Sequence, residues 1–476
     1  MEPLSFAIED HGLQYVGAQR IDGPLIAIER VTDVGFDEIV EIRDQHQDIR
    51  LGRVLDVSHK YAIVQVLQST TGLSGRELRA RFVGESFKSP VSRQMLGRVF
   101  NGFGQPFDDR PPILAIDERN ANGLPINPYA RRYPREFIQT GIAAIDGMNA
   151  LVRGQKLPIF SGNGLPHDRI CAQIVRQACL LSGESNFSIV FAGMGIKHDV
   201  AEFFIRNFRE SGVLARVAMF LSLANAPSVE RLLTPRVALT LAEHLAFDCD
   251  QHVLVLLTDM TNYCESLREI GTARGEIPGR KGYPGYLYSD LASIYERAGR
   301  IEGSGGSITQ VPMLSMPSDD ISHPVPDLTG YITEGQIVLD RELFQRGIYP
   351  PIACLSSLSR LMKDGVGRGF TREDHPALAS QLFASYAYVK HVRGLADVVG
   401  EEELAALDKQ YLKFGQAFEH HFLHQDEFEN RSIETTLDIG WQMLRMLPRN
   451  ELHRVNDRLL DQYYATASVD QVNEAR

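Results

Sequence analysis

Ile159-Phe160-Ser161-Gly162-Asn163-Gly164-Leu165-Pro166-His167-Asp168-Arg169 has the form of a strand, a glycine-rich turn and the opening of a helix. A phosphate-cradling P-loop shares this frame and adds a Lys-Ser/Thr pair, the lysine reaching the β/γ-phosphates and the hydroxyl binding Mg²⁺. With Gly162 laid on the first motif glycine, His167 falls on the second, Asp168 on the lysine and Arg169 on the hydroxyl. An anion thus stands where the cation is required. Two like charges about 4 Å apart repel by roughly 1 kcal/mol in water and several times more at a half-buried site, so Asp168 opposes a triphosphate. Pro166 suits a first helical turn, where the N–H it lacks would have no partner. Ile170, Ile174, Ala178 and Leu181 continue as one apolar stripe before Gly183, which predicts a helix over 166–181. Alone, the stretch reads as an ordinary strand-turn-helix, and its neighbours change that reading.

Between Lys156 and Leu358, apolar strands alternate with helical patterns. Strands are expected at 157–160, 188–192, 216–221, 252–258 and 309–315, and helices at 199–210, 228–246, 261–274 and 288–298. Near-continuous apolar strands separated by helices predict a parallel sheet covered on both faces. Upstream, short β segments at 25–29, 38–42, 52–57 and 61–67 with Gly-Pro punctuation predict a small barrel or sandwich. The Gly- and Pro-rich stretch from Arg76 to Gln155 reads as wrapping connectors. After Gly369 the pattern is helical, with candidates at 378–392, 401–418 and 432–447. The expected division is a barrel over 1–75, an α/β domain over 76–360 and a helical domain over 361–476.

Other positions bear on chemistry. His252 to Asp259 is a buried strand ending in a carboxylate, the form of an element that would place Asp259 near Mg²⁺. The same Asp is a good helix N-cap, and capping is the stronger reading because the hydroxyl that would share the metal is missing. An enzyme of this build carries Gly-Glu-Arg after the strand beside the P-loop, its glutamate positioning the attacking water; here the chain reads Gly195-Ile196-Lys197. Lysine and glutamate are both absent, so hydrolysis at this chain's own turn is not expected. In Leu355-Ser-Ser-Leu-Ser-Arg360, the planar, permanently charged guanidinium is suited to charge on a transferring phosphoryl group, even one held by a neighbouring chain. In isolation Arg360 would read as a salt-bridged surface residue. Pro278 to Tyr286 holds two Pro-Gly steps, explained as turns, and its tyrosines would suit a contact surface if exposed.

The chain has 61 acidic and 49 basic residues, a net charge of −12, which argues against a nucleic-acid binder that works by neutralising phosphates. No apolar run approaches the eighteen or so residues needed to span a bilayer, and Met1 to Ser5 carries no secretory pattern. A cytoplasmic protein, or one docked to a membrane through partners, is expected. Five cysteines without C-x-x-C pairing read as reduced thiols, and no metal site is expected.

Five stretches in order carry a specific resemblance: Phe160 to His167, Leu232 to Thr240, Val255 to Met260, Ile277 to Gly299 and Ser357 to Met362. Together they resemble the non-catalytic B subunit (β chain) of V-type and archaeal-type rotary ATPases over nearly the whole chain. The resemblance implies an N-terminal β-barrel, a central recA-like α/β domain with a degenerate P-loop, and a C-terminal helical domain. It implies three copies alternating with three catalytic A subunits in a hexameric head, with central and peripheral stalks as further partners and the membrane reached only through the complex. Arg360 would then face the neighbouring A-subunit site as a trans arginine finger, with Tyr331 near that nucleotide interface and Pro278 to Tyr286 near the rotor shaft. ATP or ADP with Mg²⁺ would be held mainly by the A subunit. Gly162, Asn163, Gly164 and Asp259 are the residual nucleotide-type positions of this chain. An autonomous hexameric NTPase and a scaffold with a decayed nucleotide fold are the competing readings.

Overall fold

The computed structural model describes residues 14–46, 48–115, 117–181 and 186–464. Met1 to Ser5 and the helix-stopping Gly183 lie outside them.

The N-terminal domain is one antiparallel sheet of seven strands: β1 (Gln14–Val16), β2 (Arg20–Asp22), β3 (Leu25–Glu29), β4 (Glu38–Arg43), β5 (Ile49–Val57), β6 (Tyr61–Val66) and β7 (Arg79–Ser86). They lie in the order β1-β7-β4-β5-β6-β3-β2. Ile26, Ile28, Val40, Ile42, Val54, Val64 and Ala80 meet in its core, as expected where side chains alternate across a pleated sheet. The sheet runs beyond residue 75, because β7 pairs with both β4 and β1. Its Arg79-Ala-Arg-Phe start is too polar to stand out as a strand, and Arg81 is held there by Glu41 at 2.8 Å.

The central sheet has eight strands: β8 (Val99–Asn101), β9 (Ile159–Gly162), β10 (Phe187–Ile196), β11 (Val217–Leu223), β12 (His252–Thr258), β13 (Ser307–Met316), β14 (Gly335–Val338) and β15 (Leu358–Ser359). Their order is β15-β14-β9-β13-β12-β10-β11-β8. All neighbours are parallel except β14 and β15. β8 shows that the expected connector region also supplies an edge strand, paired through Phe100 to Phe220 of β11. Around the sheet lie α1 (His167–Gln177), α2 (His198–Glu210), α3 (Ser228–Glu243), α4 (Met260–Ala273), α5 (Leu287–Tyr295) and α6 (Pro324–Ile332). α1 stops before the expected 181 because Cys179 and Leu180 leave the helix to pair with Gln139 and Ile138.

The C-terminal domain contains α7 (His375–Val399), α8 (Ala406–Ala417) and α9 (Ile433–Leu444). α8 begins five residues after the expected 401, since Leu404 turns inward in an extended conformation to join the core. Phe414, Phe418, Trp441 and Leu444 share a continuous apolar core with α1 and β10 residues such as Ile174 and Phe191. Trp441 also donates from Nε1 to Asp374 at 2.6 Å. The architecture is therefore a barrel, a nucleotide-binding-type α/β domain and a helical domain. No described helix is long and apolar enough to cross a membrane.

Candidate functional site

In a parallel α/β sheet, ligands gather at the carboxyl ends of the strands. Here that edge brings together the turn after β9, the end of β10, Asp259 after β12 and Ser315 near the end of β13. β9 lies directly beside β13, with Gly162 opposite Met316.

The glycine-rich turn is closed on itself. The Leu165 N–H donates to the Gly162 carbonyl at 3.1 Å and the His167 N–H to the Leu165 carbonyl at 2.9 Å. Those amides are not aimed at a ligand, as an anion-binding turn would require. Asn163 and Gly164 form the exposed tip, Gly164 with a φ of +80° that favours glycine. Over the turn lies an ion pair that no motif announced. Arg341 donates to Asp319 from Nε at 2.7 Å and from Nη2 at 2.9 Å, and Nη2 also reaches the Asn163 carbonyl at 2.9 Å. Gly162 allows this approach: a Cβ there would sit 2.0 Å from Asp319 Oδ1. Asp168 opens α1, its Oδ1 3.4 Å from His167 Nε2. Burial pushes its carboxyl above the ordinary range; His167 opposes this, while Asp259 and Asp199 add to it.

Asp259 is equally committed. Its Oδ1 accepts from the Thr261 N–H at 2.8 Å and the Ser315 N–H at 3.1 Å, and its Oδ2 from the Ser315 hydroxyl at 2.5 Å. It is the N-cap of α4. Ile196 ends β10 buried, where a water-positioning glutamate would have to be polar and open. The residues at this edge do not fit a Mg²⁺-triphosphate: Asp168 replaces the motif lysine, Arg341 is held by Asp319, the Leu165 and His167 amides are internally bonded and three carboxylates crowd the turn.

Arg360 lies in a different setting. β15 pairs antiparallel with β14, Ser359 opposite Gly335. The period of two along the strand buries Ser357 and Ser359 and leaves Leu358 and Arg360 exposed. Ser357 accepts from the Val338 N–H at 2.9 Å, while Ser359 donates to the Ala150 carbonyl at 2.8 Å and accepts from Gln155 Nε2 at 3.0 Å. The two strands touch at Gly335, where a Cβ would meet the Leu358 carbonyl at 2.0 Å. On this pinned platform the Arg360 backbone donates to the Glu334 carbonyl at 2.9 Å. Its guanidinium makes one long bond, 3.4 Å, to the Thr333 carbonyl, and no ion pair among the described residues. Tyr331, two residues before Thr333, is 74% exposed at the end of α6. Arg360 and Tyr331 thus flank one segment, whereas Gly162, Asn163, Gly164 and Asp259 belong to the turn.

The Pro278 to Tyr286 loop corrects one expectation. Tyr283 is buried and donates to Glu265 Oε1 at 2.5 Å, so only Tyr286 of the two tyrosines is exposed. Arg280 and Lys281 tie the loop to Asp327 and Asp320, at 3.2 and 2.9 Å. The packing that buries Tyr283 comes from α4 and from His323, remote in sequence.

Three domains, the middle one a parallel α/β sheet of nucleotide-binding type, define the class of the fold. Comparison with known proteins assigns the family. Residues 141–359 match the nucleotide-binding domain of the ATP synthase alpha/beta family, 18–84 its beta-barrel domain, and 364–464 the C-terminal domain of V and A type ATP synthase. The chain is 62% identical over 463 residues to V-type ATP synthase beta chain 2 of Treponema pallidum, covering 97% of this chain and 96% of that one. It is 58% identical over 451 residues to the V-type ATP synthase beta chain of Halothermothrix orenii and to the B subunit of the A-type ATP synthase of Aeropyrum pernix, covering 95% of this chain and 97% of each. The unique ATP synthase protein NeqB of Nanoarcheaum equitans superposes with a TM-score of 0.72 at 42% identity, covering 89% of this chain and all of that one. The chain belongs to the B-subunit (β-chain) family of V/A-type ATP synthases.

Proposed function

We propose that this chain acts as the non-catalytic B subunit of an ion-translocating rotary ATPase or ATP synthase, and that Arg360 completes the active site of an adjoining catalytic A subunit. The observation that carries the proposal is the contrast between a phosphate turn whose Arg341, Asp319 and Asp259 are committed to one another and to the backbone and an outward guanidinium beside a fixed strand with one long hydrogen bond. A planar fork presented in this way can stabilise charge on a phosphoryl group held by another chain. ATP or ADP with Mg²⁺ belongs mainly to the A subunit, in a head of three A and three B chains that meets the stalks and reaches the membrane through them. Tyr331, exposed beside the same segment, would border that interface. The pumped ion, proton or sodium, is selected elsewhere in the complex.

Replacing Arg360 by Ala in a reconstituted A/B head tests this reading. An arginine finger is worth about 10³-fold or more in turnover, so ATP hydrolysis should fall by at least that factor while the head still assembles. An unchanged rate would rule out the finger. A chain that failed to assemble with any A-type partner would point instead to a scaffold with a decayed nucleotide fold.

A further inference from the structure

A second constellation lies away from the strand ends that carry the nucleotide-type site. α3 does not end as an α-helix; it widens into a π-turn over His244–Asp248, with Cys249 at its cap. In a π-turn the residues one turn apart are i and i+5 rather than i and i+4, and such turns recur at functional sites. The widening therefore brings Cys249 alongside His244. Cys249 Sγ is 3.7 Å from His244 Nε2, and His244 Nδ1 is 2.9 Å from Asp248 Oδ2. An ionised carboxylate only accepts hydrogen bonds, so Asp248 fixes the proton of neutral His244 on Nδ1 and turns the Nε2 lone pair toward the thiol. This is the ordering of a nucleophile, a base and a group that orients the base.

Arg119 binds Asp248 Oδ2 at 2.8 Å, and Arg93 donates to the Cys249 carbonyl at 3.0 Å. Asp117, whose charge also acts on His244, is paired with Arg119 at 3.0 Å. Arg119 and Phe247 also line an adjoining cavity of about 550 Å³ with Leu124, Pro125 and Ile301. His244 is 6% exposed, whereas Cys249 is half-buried. The other four thiols have no such arrangement. Cys171, Cys264 and Cys354 are buried. Cys179 is half-buried beside Gln139, and burial pushes its thiol up.

We propose that Cys249 is a modification site, its thiol activated by His244 and Asp248 for exchange with a low-molecular-weight disulfide. His244 Nε2 takes the thiol proton, and Cys249 Sγ attacks one sulfur of the disulfide. One S–S bond breaks as another forms, and the departing thiolate takes the proton back from His244. Cys249 is oxidised, half of the reagent is reduced, and a reducing thiol reverses the step.

The test treats the full-length chain with oxidised glutathione and follows adducts at each cysteine by peptide mass mapping, with Cys179 as internal reference. Cys249 should be modified at least about tenfold faster than Cys179, a modest share of what a positioned base supplies. His244→Gln should bring its rate down to that of Cys179, and Cys249→Ser should abolish the fast adduct. Asp248 acts through His244, so Asp248→Asn should slow the reaction and Asp248→Glu should restore part of the rate; this pair decides the matter if His244→Gln fails to fold. Equal rates at Cys249 and Cys179, or rates indifferent to both His244→Gln and Asp248→Asn, would overturn the proposal.

Discussion

The turn at Gly162–Asp168 and the edge at Ser357–Arg360 border the same strand pair, β9 and β14, yet use charge in opposite ways. At the turn, Arg341 is bound by Asp319 and a loop carbonyl, Asp259 accepts three hydrogen bonds, and the amides close on their own carbonyls. At the edge, two serine hydroxyls fix the strand and leave the arginine facing out. A satisfied charge stabilises the fold and is not free for a ligand. One held by a rigid backbone and left nearly unpaired is free to act on a neighbour.

Substitutions test this contrast. The largest effect is expected at the edge: Arg360→Lys keeps the charge but loses the fork, and ATP turnover of the assembled head should lie between wild type and Arg360→Ala. The next tests a charge wholly committed to structure. Glu419, buried between the central and C-terminal domains, accepts from Arg346, from Arg393 Nη1 at 2.7 Å and from the Tyr386 hydroxyl at 2.7 Å. Burial pushes its carboxyl up, but the bonds from Arg393, Arg346 and Tyr386 outweigh this and bring it down to about 2. Since its value in the folded chain is depressed, its contribution is complete above the ordinary glutamate range and is lost as pH falls toward 2. Glu419→Ala leaves two arginines unpaired and should cost about 3 kcal/mol in urea unfolding at pH 7.

A smaller effect is expected at the turn. The isolated chain should bind Mg²⁺-ATP with a Kd above about 1 mM, equivalent to only about 4 kcal/mol. Asp168→Asn with Asp319→Asn removes two like charges worth roughly 1 kcal/mol each and releases Arg341, so calorimetry should show binding tightened about tenfold or more without any hydrolysis. The smallest concerns Asp168 alone. Its carboxyl is raised in the folded chain by burial, so ionisation costs stability once pH rises above the unfolded value of about 3.9. Asp168→Asn should raise the melting midpoint at pH 7 and leave it unchanged at pH 3.

The alternation of apolar strands and helices made the central sheet legible, because strands buried on both faces leave a continuous signal. The losses at Asp168 and Ile196 were equally plain, since a motif prescribes what should stand there. Arg341 and Asp319 were not legible: they are 22 residues apart, belong to no motif and meet only because β14 and β13, which they follow, flank β9. The polar start of β7 hid a strand whose place is set by its partners. Tyr283 looked like a loop aromatic until α4 supplied Glu265. The approach of Cys249 to His244 depends on a π-turn, which no helical periodicity marks.

On the proposed function, this chain donates its chemistry across an interface and performs none at its own turn. The direct measurement is ATP turnover of A/B heads whose B chains carry Asp168→Ala in one preparation and Arg360→Ala in another. Near wild-type turnover is expected for the first and a loss of about 10³-fold or more for the second. A large loss with Asp168→Ala and an unaffected rate with Arg360→Ala would contradict the proposed function.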